Sequence, residues 1–260
     1  MSSNQEILVE QYRLQNEDGR AGLTRSSGLE FHYTKKHLEG LIKSTDCVLE
    51  VGCATGYYGL YYADQCREYR GIDLIPEHIR LFRQKIADSG RTNLSCQVGD
   101  ATCLNGLGDE SFDVVLCLGP LYHLPPVERE AVFAESARVC KTGGIAAFAY
   151  INQVGVYMGG CLLDSRYPNE EANRCVLENG TDDLRPELFF YTMPEEMEAV
   201  AARYGFRKIK NVGTDFMIAM QLVNAMSEEQ FDQMLPLYDR MACCESCTGM
   251  ANHALLVCRK

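Results

Sequence analysis

Several things are missing from this sequence, and each absence narrows its class. No apolar run approaches the length of a membrane span. The opening Met1-Ser2-Ser3-Asn4-Gln5-Glu6 lacks the basic-then-apolar layout of a secretory leader, so the protein is expected in the cytoplasm. Cations are scarce: 25 Lys and Arg stand against 36 Asp and Glu, a formal net charge of -11, and no stretch reads as a basic run. Such a chain is poorly suited to tracking phosphate backbones, so neither nucleic acid nor membrane is an expected partner. No internal repeat and no bias toward disorder is visible. The 260 residues, 46% of them hydrophobic, suffice for one α/β domain with an insertion. Nothing in them sets the oligomeric state.

Cysteine, in contrast, is plentiful at thirteen residues, yet the pattern is not a disulfide framework. Cys47, Cys53, Cys96, Cys117 and Cys258 fall in or beside apolar runs, where a thiol acts as a small hydrophobe. Only Cys243-Cys244-Glu245-Ser246-Cys247 has ligand-like spacing. It has no second Cys pair and no His-x-His partner, so no metal is expected and reduced thiols are the plain reading.

What is present is organised around Cys47-Val-Leu-Glu-Val-Gly-Cys-Ala-Thr-Gly-Tyr-Tyr-Gly59. A short apolar run is followed by Gly52, Gly56 and Gly59 and then by a helical segment. Strand, glycine turn and helix open one half of a doubly wound, Rossmann-like sheet. A dinucleotide site wants G-x-G-x-x-G directly after the strand. Here the nearest match is Ala54-Thr55-Gly56-Tyr57-Tyr58-Gly59, with alanine in the first glycine position. Glu50, two residues before Gly52, adds an acid where a phosphate would lie. Both features suit a cofactor without phosphates.

The stretch Val-Leu-Glu-Val-Gly-Cys-Ala-Thr-Gly closely resembles motif I of the class I S-adenosylmethionine-dependent methyltransferases. Later residues extend the likeness. Asp73, about 20 residues beyond the turn, ends a second strand where this fold sets a carboxylate against ribose hydroxyls; the lesser alternative is a plain helix N-cap. Asp100 ends the third strand. The resemblance implies that it meets the adenine amino group and that the Ala101 N–H meets the ring, with Cys53, Leu74 and Leu118 completing the cofactor wall beside Glu50, Gly52 and Gly56. The segment Leu118-Gly-Pro-Leu-Tyr-His-Leu124 resembles small-molecule methyltransferases and replaces the Asn-Pro-Pro-Tyr of DNA and protein amide methyltransferases. The likeness is strong from Cys47 to Ile151 and absent in detail over 152–190.

The expected fold is α/β: a seven-stranded sheet, mostly parallel with an antiparallel last strand, in a single domain. Residues 1–45 read as N-terminal cover, 46–151 as the cofactor-binding half, 152–190 as a lid insertion and 191–260 as the remainder of the sheet. Residues 1–28 show no sustained period, and a helix is expected around Leu38, Leu41 and Ile42. The helix after the fourth strand is expected to bury Val127, Ala131 and Ala134, and the fifth strand to run from Ile145 to Ile151. Over Asn152–Phe190 the strand–helix rhythm breaks, which suggests a cover over the cleft. Phe216–Met241 reads as helical.

The implied activity is methyl transfer from S-adenosyl-L-methionine to an N, O or C nucleophile of a small molecule. His123 and Tyr122, just past the fourth strand, are the candidates for orienting and deprotonating the acceptor. His253 and Tyr150 rank behind them. Three alternatives compete. A nicotinamide oxidoreductase lacks its glycine pattern here. A non-catalytic adenosylmethionine-binding protein would not need the Tyr122-His123 segment. Arsenite methylation would draw on Cys243, Cys244 and Cys247.

Overall fold

Every residue of Cys47–Val51 is buried, which fixes this first strand, β1, in the middle of a sheet flanked on both faces. A computed structural model of the chain describes residues 3–14, 17–163, 170–216 and 222–260. The other strands are β2 (Glu68–Asp73), β3 (Leu94–Val98), β4 (Phe112–Cys117), β5 (Cys140–Ile151), β6 (Arg207–Gly213) and β7 (His253–Arg259). They form one seven-stranded sheet in the order β3-β2-β1-β4-β5-β7-β6. Pairings among β1 to β5 are parallel, and β7 runs antiparallel to both of its neighbours, β5 and β6. The order reverses beside β1, between β2 and β4, so the crevice at the carboxyl ends of these strands is where such a sheet binds ligands.

Helices α1 (Ser3–Leu14), α2 (Arg25–Leu38), α3 (Tyr57–Tyr62), α4 (Pro76–Ser89), α5 (Pro126–Val139), α6 (Gln153–Leu163), α7 (Pro194–Arg203), α8 (Glu228–Ala242) and α9 (Glu245–Thr248) surround it. The pleat sends alternate residues of β1 to opposite faces. Leu49 and Val51 join Phe133, Phe148 and Met197 under α5 and α7. Val48 joins Phe82, Ile79 and Tyr69 under α4. The stripe expected on α4 is observed: Ile75, Ile79 and Phe82 are buried and Ile86 packs against the same cluster.

Four expectations need correction. The N-terminal region is helical twice over, in α1 and in α2, which is capped at Thr24 by its hydroxyl accepting from Ser27 and stops at Leu38, before Leu41 and Ile42. Helix α5 turns the other face inward. Arg129, Val132, Phe133, Ser136 and Val139 are buried, whereas Val127 is 84% exposed and Ala134 faces solvent. Arg129 is tolerated inside because its Nε donates to the Leu124 carbonyl at 2.9 Å. Strand β5 starts at Cys140, five residues early, and its pairing with β4 is irregular between Cys140 and Ile145.

The fourth correction concerns 152–190, which is not without period. Helix α6 packs so closely on the loop before β7 that a Cβ on Gly155 would lie 1.9 Å from the Ala251 carbonyl oxygen. A short helix, Glu170–Ala172, then runs into a π turn, Asn173–Glu178, whose Val176 packs with Tyr122, Ile151 and Tyr191. Residues 164–169 of the expected lid and 217–221 of the expected helical stretch lie outside the described residues. Helix α8 begins after Ser227, whose hydroxyl accepts from Gln230.

Candidate functional site

The turn after β1 is pinned by its own backbone. Gly52 has φ +80°, and the N–H groups of Gly52 and Cys53 both donate to the Ile72 carbonyl, at 2.7 and 3.0 Å. A Cβ on Gly52 would fall 2.5 Å from the Pro120 ring, so only glycine lets the two strand ends approach. Ala54, standing where a dinucleotide site has glycine, also takes a left-handed conformation, φ +44°. That geometry costs an L-residue about 1–2 kcal/mol. The Ala54 N–H donates to Asp73 Oδ2 at 2.8 Å, which holds the strained turn against β2.

This turn opens onto a cavity of about 760 Å³, a size suited to a small molecule. Its walls bring together Glu50, Gly52, Cys53, Asp73, Leu74, Asp100, Ala101, Leu118, Tyr122, His123 and His253. Two expected residues are elsewhere. Gly56 is packed beneath the turn, where a Cβ would strike the Phe82 ring, and it does not line the cavity. Tyr150 is in the core under the sheet, its hydroxyl donating to Asn211 at 2.7 Å.

The carboxylates along the strand ends differ in state. Burial pushes Glu50 up to about 8, with the neighbouring Asp73 adding to the rise and the Tyr69 hydroxyl, donating at 2.8 Å, opposing it. Glu50 is therefore mostly protonated at neutral pH, and the repulsion of phosphate read at this position is weakened. Asp73 accepts from Ala54 and, through Oδ1, from the Ile75 N–H at 2.9 Å and His78 Nδ1 at 3.3 Å. It is thus both a turn former and a cavity wall. Asp100 accepts from the Thr102 N–H and hydroxyl and, on its other oxygen, from Gln5 of α1 at 2.7 Å.

A phosphate-free nucleoside fits this end. His78 is 95% buried by residue area on the cavity wall, and its Nε2 has no hydrogen-bond partner while Nδ1 faces Asp73. With Nδ1 donating to Asp73, Nε2 is an unfilled acceptor beside a carboxylate, and vicinal ribose hydroxyls are donors that would satisfy both.

The opposite end was largely invisible in the sequence. Tyr12, Glu17, Arg20, Glu30, Phe31, Tyr58 and Phe189 line it together with Tyr122, His123 and His253. Arg20 bridges Glu17 and Glu30, each at 3.0 Å, and lies over the Phe31 ring. The His253 ring meets the buried Asp215 carboxylate at 2.8 Å, and Glu30, Asp215 and His253 converge within 4.8 Å. Burial alone would lower the His253 pKa; the Glu30 and Asp215 carboxylates outweigh it and raise it to about 9. The same ion pair holds Asp215 below the usual carboxylate range despite its burial. His253 is accordingly a cation at neutral pH.

His123 is its counterpart. Burial lowers its pKa to about 4, so the ring is neutral. Its Nδ1 lies 2.8 Å from the Leu188 carbonyl, which can only accept, so the proton sits on Nδ1 and Nε2 carries the lone pair. That lone pair accepts from the Tyr12 hydroxyl at 2.8 Å. Tyr122 stands between the two histidines, with ring centroids 4.6 Å from His123 and 5.9 Å from His253.

The cover over the cavity differs in origin from the expected one. Of residues 152–190 only Phe189 lines the cavity among the described residues, whereas α1 and residues 17–21 contribute eight lining residues. The N-terminal segment is tied to the glycine turn by Asp18, which accepts from the Thr55 hydroxyl at 3.1 Å and pairs with Lys85. Cys243, Cys244 and Cys247 lie on α9 and just before it, outside the cavity.

Comparison with known proteins agrees with this geometry. The family described as "Methyltransferase domain" matches residues 48–144. A ubiquinone biosynthesis O-methyltransferase of Idiomarina loihiensis is 30% identical over 121 residues, 46% of this chain and 48% of that protein. The chain thus spans about half the length of the curated relatives it matches. Among solved structures, geranyl diphosphate C-methyltransferase from Streptomyces coelicolor superposes with a TM-score of 0.62 at 12% identity, covering 99% of this chain and 98% of that one. An S-adenosylmethionine-dependent methyltransferase from Methanosarcina mazei gives 0.59 at 19% identity, over 86% and 96% of the two chains. No helix among the described residues is long and apolar enough to cross a membrane.

Proposed function

We propose that this chain is a class I S-adenosylmethionine-dependent methyltransferase, its methyltransferase domain spanning residues 48–144, and that it methylates a hydroxyl of a small aromatic molecule. S-adenosylmethionine, when bound, supplies a methyl group already activated by its sulfonium. The chain's own task is to align the acceptor, exclude water and accept a proton.

The observation that carries this reading is the fixed tautomer of His123. With Nδ1 committed to Leu188, the Nε2 lone pair faces the cavity beside Tyr122 and engages a hydroxyl, that of Tyr12. A hydroxyl of the acceptor is the natural replacement for, or relay partner of, that tyrosine. Asp73 and His78 would take the ribose, Asp100 and the Ala101 N–H the adenine, and Arg20 the negative end of the methionine portion. Tyr12, Phe31, Tyr58, Tyr122 and Phe189 give the acceptor side aromatic walls, which favour a flat ring. The cationic His253 is ruled out as a base by its protonation, and it supports instead the build-up of negative charge on an acceptor oxygen. Arsenite methylation is disfavoured because the three clustered cysteines are outside the cavity.

The test is transfer of labelled methyl from S-adenosylmethionine to a panel of phenolic and other hydroxylated metabolites, with calorimetry of the cofactor and its demethylated product in parallel. His123→Gln is expected to lower turnover on the acceptor so found by ~10²-fold or more with cofactor affinity unchanged. Full activity in that variant would reduce His123 to a clamp on Leu188. Absence of heat with either ligand, but tight NAD binding, would overturn the assignment.

A further inference from the structure

The pair Cys244 and Cys247 lies outside the cavity and has no part in the proposed reaction, yet it is built differently from the buried thiols of the sheet. The chain leaves α8 through Cys243 and enters the single turn α9 at Cys244. The Cys247 N–H donates to the Cys244 carbonyl at 2.9 Å, closing a turn. Residues three apart in such a turn have Cα atoms within about 7 Å of each other, which overlaps the span of roughly 4.4–6.8 Å that a disulfide bridges.

The two side chains are also unequal. The Cys244 sulfur lies 3.0 Å from the Ser246 hydroxyl, at a turn where the Cys247 side chain and the backbone N–H groups of Ser246 and Cys247 also favour its thiolate. These groups hold the Cys244 thiol below its ordinary range, the Ser246 hydroxyl contributing most. Cys247 goes the other way, raised first by burial and then by the charge of Cys244. One sulfur is equipped as a nucleophile and the other keeps its proton until needed. Elsewhere the thiols of Cys53, Cys117, Cys140 and Cys258 are buried and pushed up by that burial. A metal site is the weaker alternative: Cys243 is exposed next to the pair, but among the described residues no third ligand atom gathers with them.

We infer that Cys244 and Cys247 form a redox-active dithiol that exchanges with low-molecular-weight disulfides such as glutathione disulfide. The Cys244 thiolate attacks one sulfur of the external disulfide, forming a mixed disulfide and expelling one thiolate. Cys247 then gives up its proton and attacks the Cys244 sulfur, closing the Cys244–Cys247 bond and expelling the second thiolate. The two protein thiols are oxidised, the external disulfide is reduced to two thiols, and the two protons end on those leaving groups. The closed form tightens a segment already coupled to the neighbourhood of His253, since the Thr248 carbonyl accepts from the Asn152 side chain and the Asn152 N–H donates to the Asn252 carbonyl, one residue before His253.

The test uses the full chain, reduced, then exposed to graded glutathione disulfide, quenched with acid and mapped by mass spectrometry. The expected product is a Cys244–Cys247 cross-linked peptide lighter by two hydrogens, appearing before the exposed Cys103 carries glutathione. Cys247→Ser is expected to trap a glutathione adduct on Cys244 at least ~10-fold more than Cys244→Ser traps one on Cys247, with circular dichroism confirming that both variants are folded. Three results would overturn the inference: Cys103 modified while the pair stays reduced, a cross-link that uses Cys243, or a persistent Cys244 adduct in the unmutated chain.

Discussion

The two ends of the cavity are made from different materials. At the cofactor end, polar groups are satisfied by neighbours in the same or the adjacent strand: Gly52 and Cys53 by Ile72, Ala54 and Ile75 by Asp73, Thr102 by Asp100. At the acceptor end, the partners come from far along the chain. Tyr12 meets His123, Asp215 meets His253, and Glu30 completes the latter group, while Gln5 of α1 reaches the cofactor end at Asp100. The first end is built mainly by the strand ends of the sheet itself. The second exists only once five separate segments have docked. Charge follows the same division, with Glu50 neutralised by burial at one end and a charged His253–Asp215 pair kept at the other.

The strongest way to break this contrast is Asp215→Ala. It leaves the His253 cation in a buried setting without its direct partner, and losing one member of a buried pair typically costs ~3–5 kcal/mol. Urea unfolding at pH 7 measures it; a loss below about 1 kcal/mol would mean the pair is better hydrated than its surroundings imply.

The histidines sharpen the contrast through pH. His253, raised from 6.5 to about 9, contributes stability that is complete below pH 6.5 and lost as pH climbs through 9. His123, lowered to about 4, acts in the opposite sense: between pH 6.5 and 4 the unfolded chain takes a proton that the native state refuses, so stability falls as the pH drops. Each limb is on the order of 3 kcal/mol. Stability should therefore peak near pH 6.5, with His253→Gln flattening the alkaline limb only in part, because Glu50, held protonated up to about 8, contributes stability that is also lost as pH rises through that value. His123→Gln should flatten the acid limb only in part, because burial also lowers His37 to about 4. A wild-type profile that still rises from pH 7 to 9 would contradict this.

At the cofactor end, Asp73→Ala is expected to weaken S-adenosylmethionine and its product by ~1.5–3 kcal/mol in calorimetry, part of it through release of the strained Ala54 turn. Unchanged affinity would restrict Asp73 to its backbone duties. The smallest effect is expected for Tyr12→Phe. Removing one hydroxyl from His123 should change turnover by about 0.5–1.5 kcal/mol while leaving cofactor affinity alone; a larger loss of affinity would show that α1 is held mainly through this bond.

How much of this was legible in the sequence depended on the range of the contacts. The seven strands and the glycine turn were readable because runs such as Cys47–Val51 and His253–Arg259 carry their signal within a few residues. So were Asp73 and Asp100, set at strand ends. Helix α1 was not, since its reasons for being ordered, Gln5–Asp100 and Tyr12–His123, lie about a hundred residues away. The inward face of α5 was misread because hydropathy cannot anticipate a buried Arg129 that finds the Leu124 carbonyl. Tyr122 and His123 were found from the segment that carries them, but the tautomer that gives His123 its character is set by Leu188, in the stretch with the least readable pattern.

The position of β7 has a consequence for how the protein is made. It fits between β5 and β6, although it follows both in the chain. A ribosome adding ~5–20 residues per second takes seconds to travel from β6 to β7, and through that interval the nascent sheet has a gap one strand wide with two open edges. Such edges invite pairing with other chains. Closing the gap is the same event that delivers His253 to Asp215, so the acceptor end gains its charge pair only in molecules whose sheet has been completed. Assembly of this charge pair is in this way a marker of a closed sheet, and chains made only as far as β6 would expose their open edges before it forms.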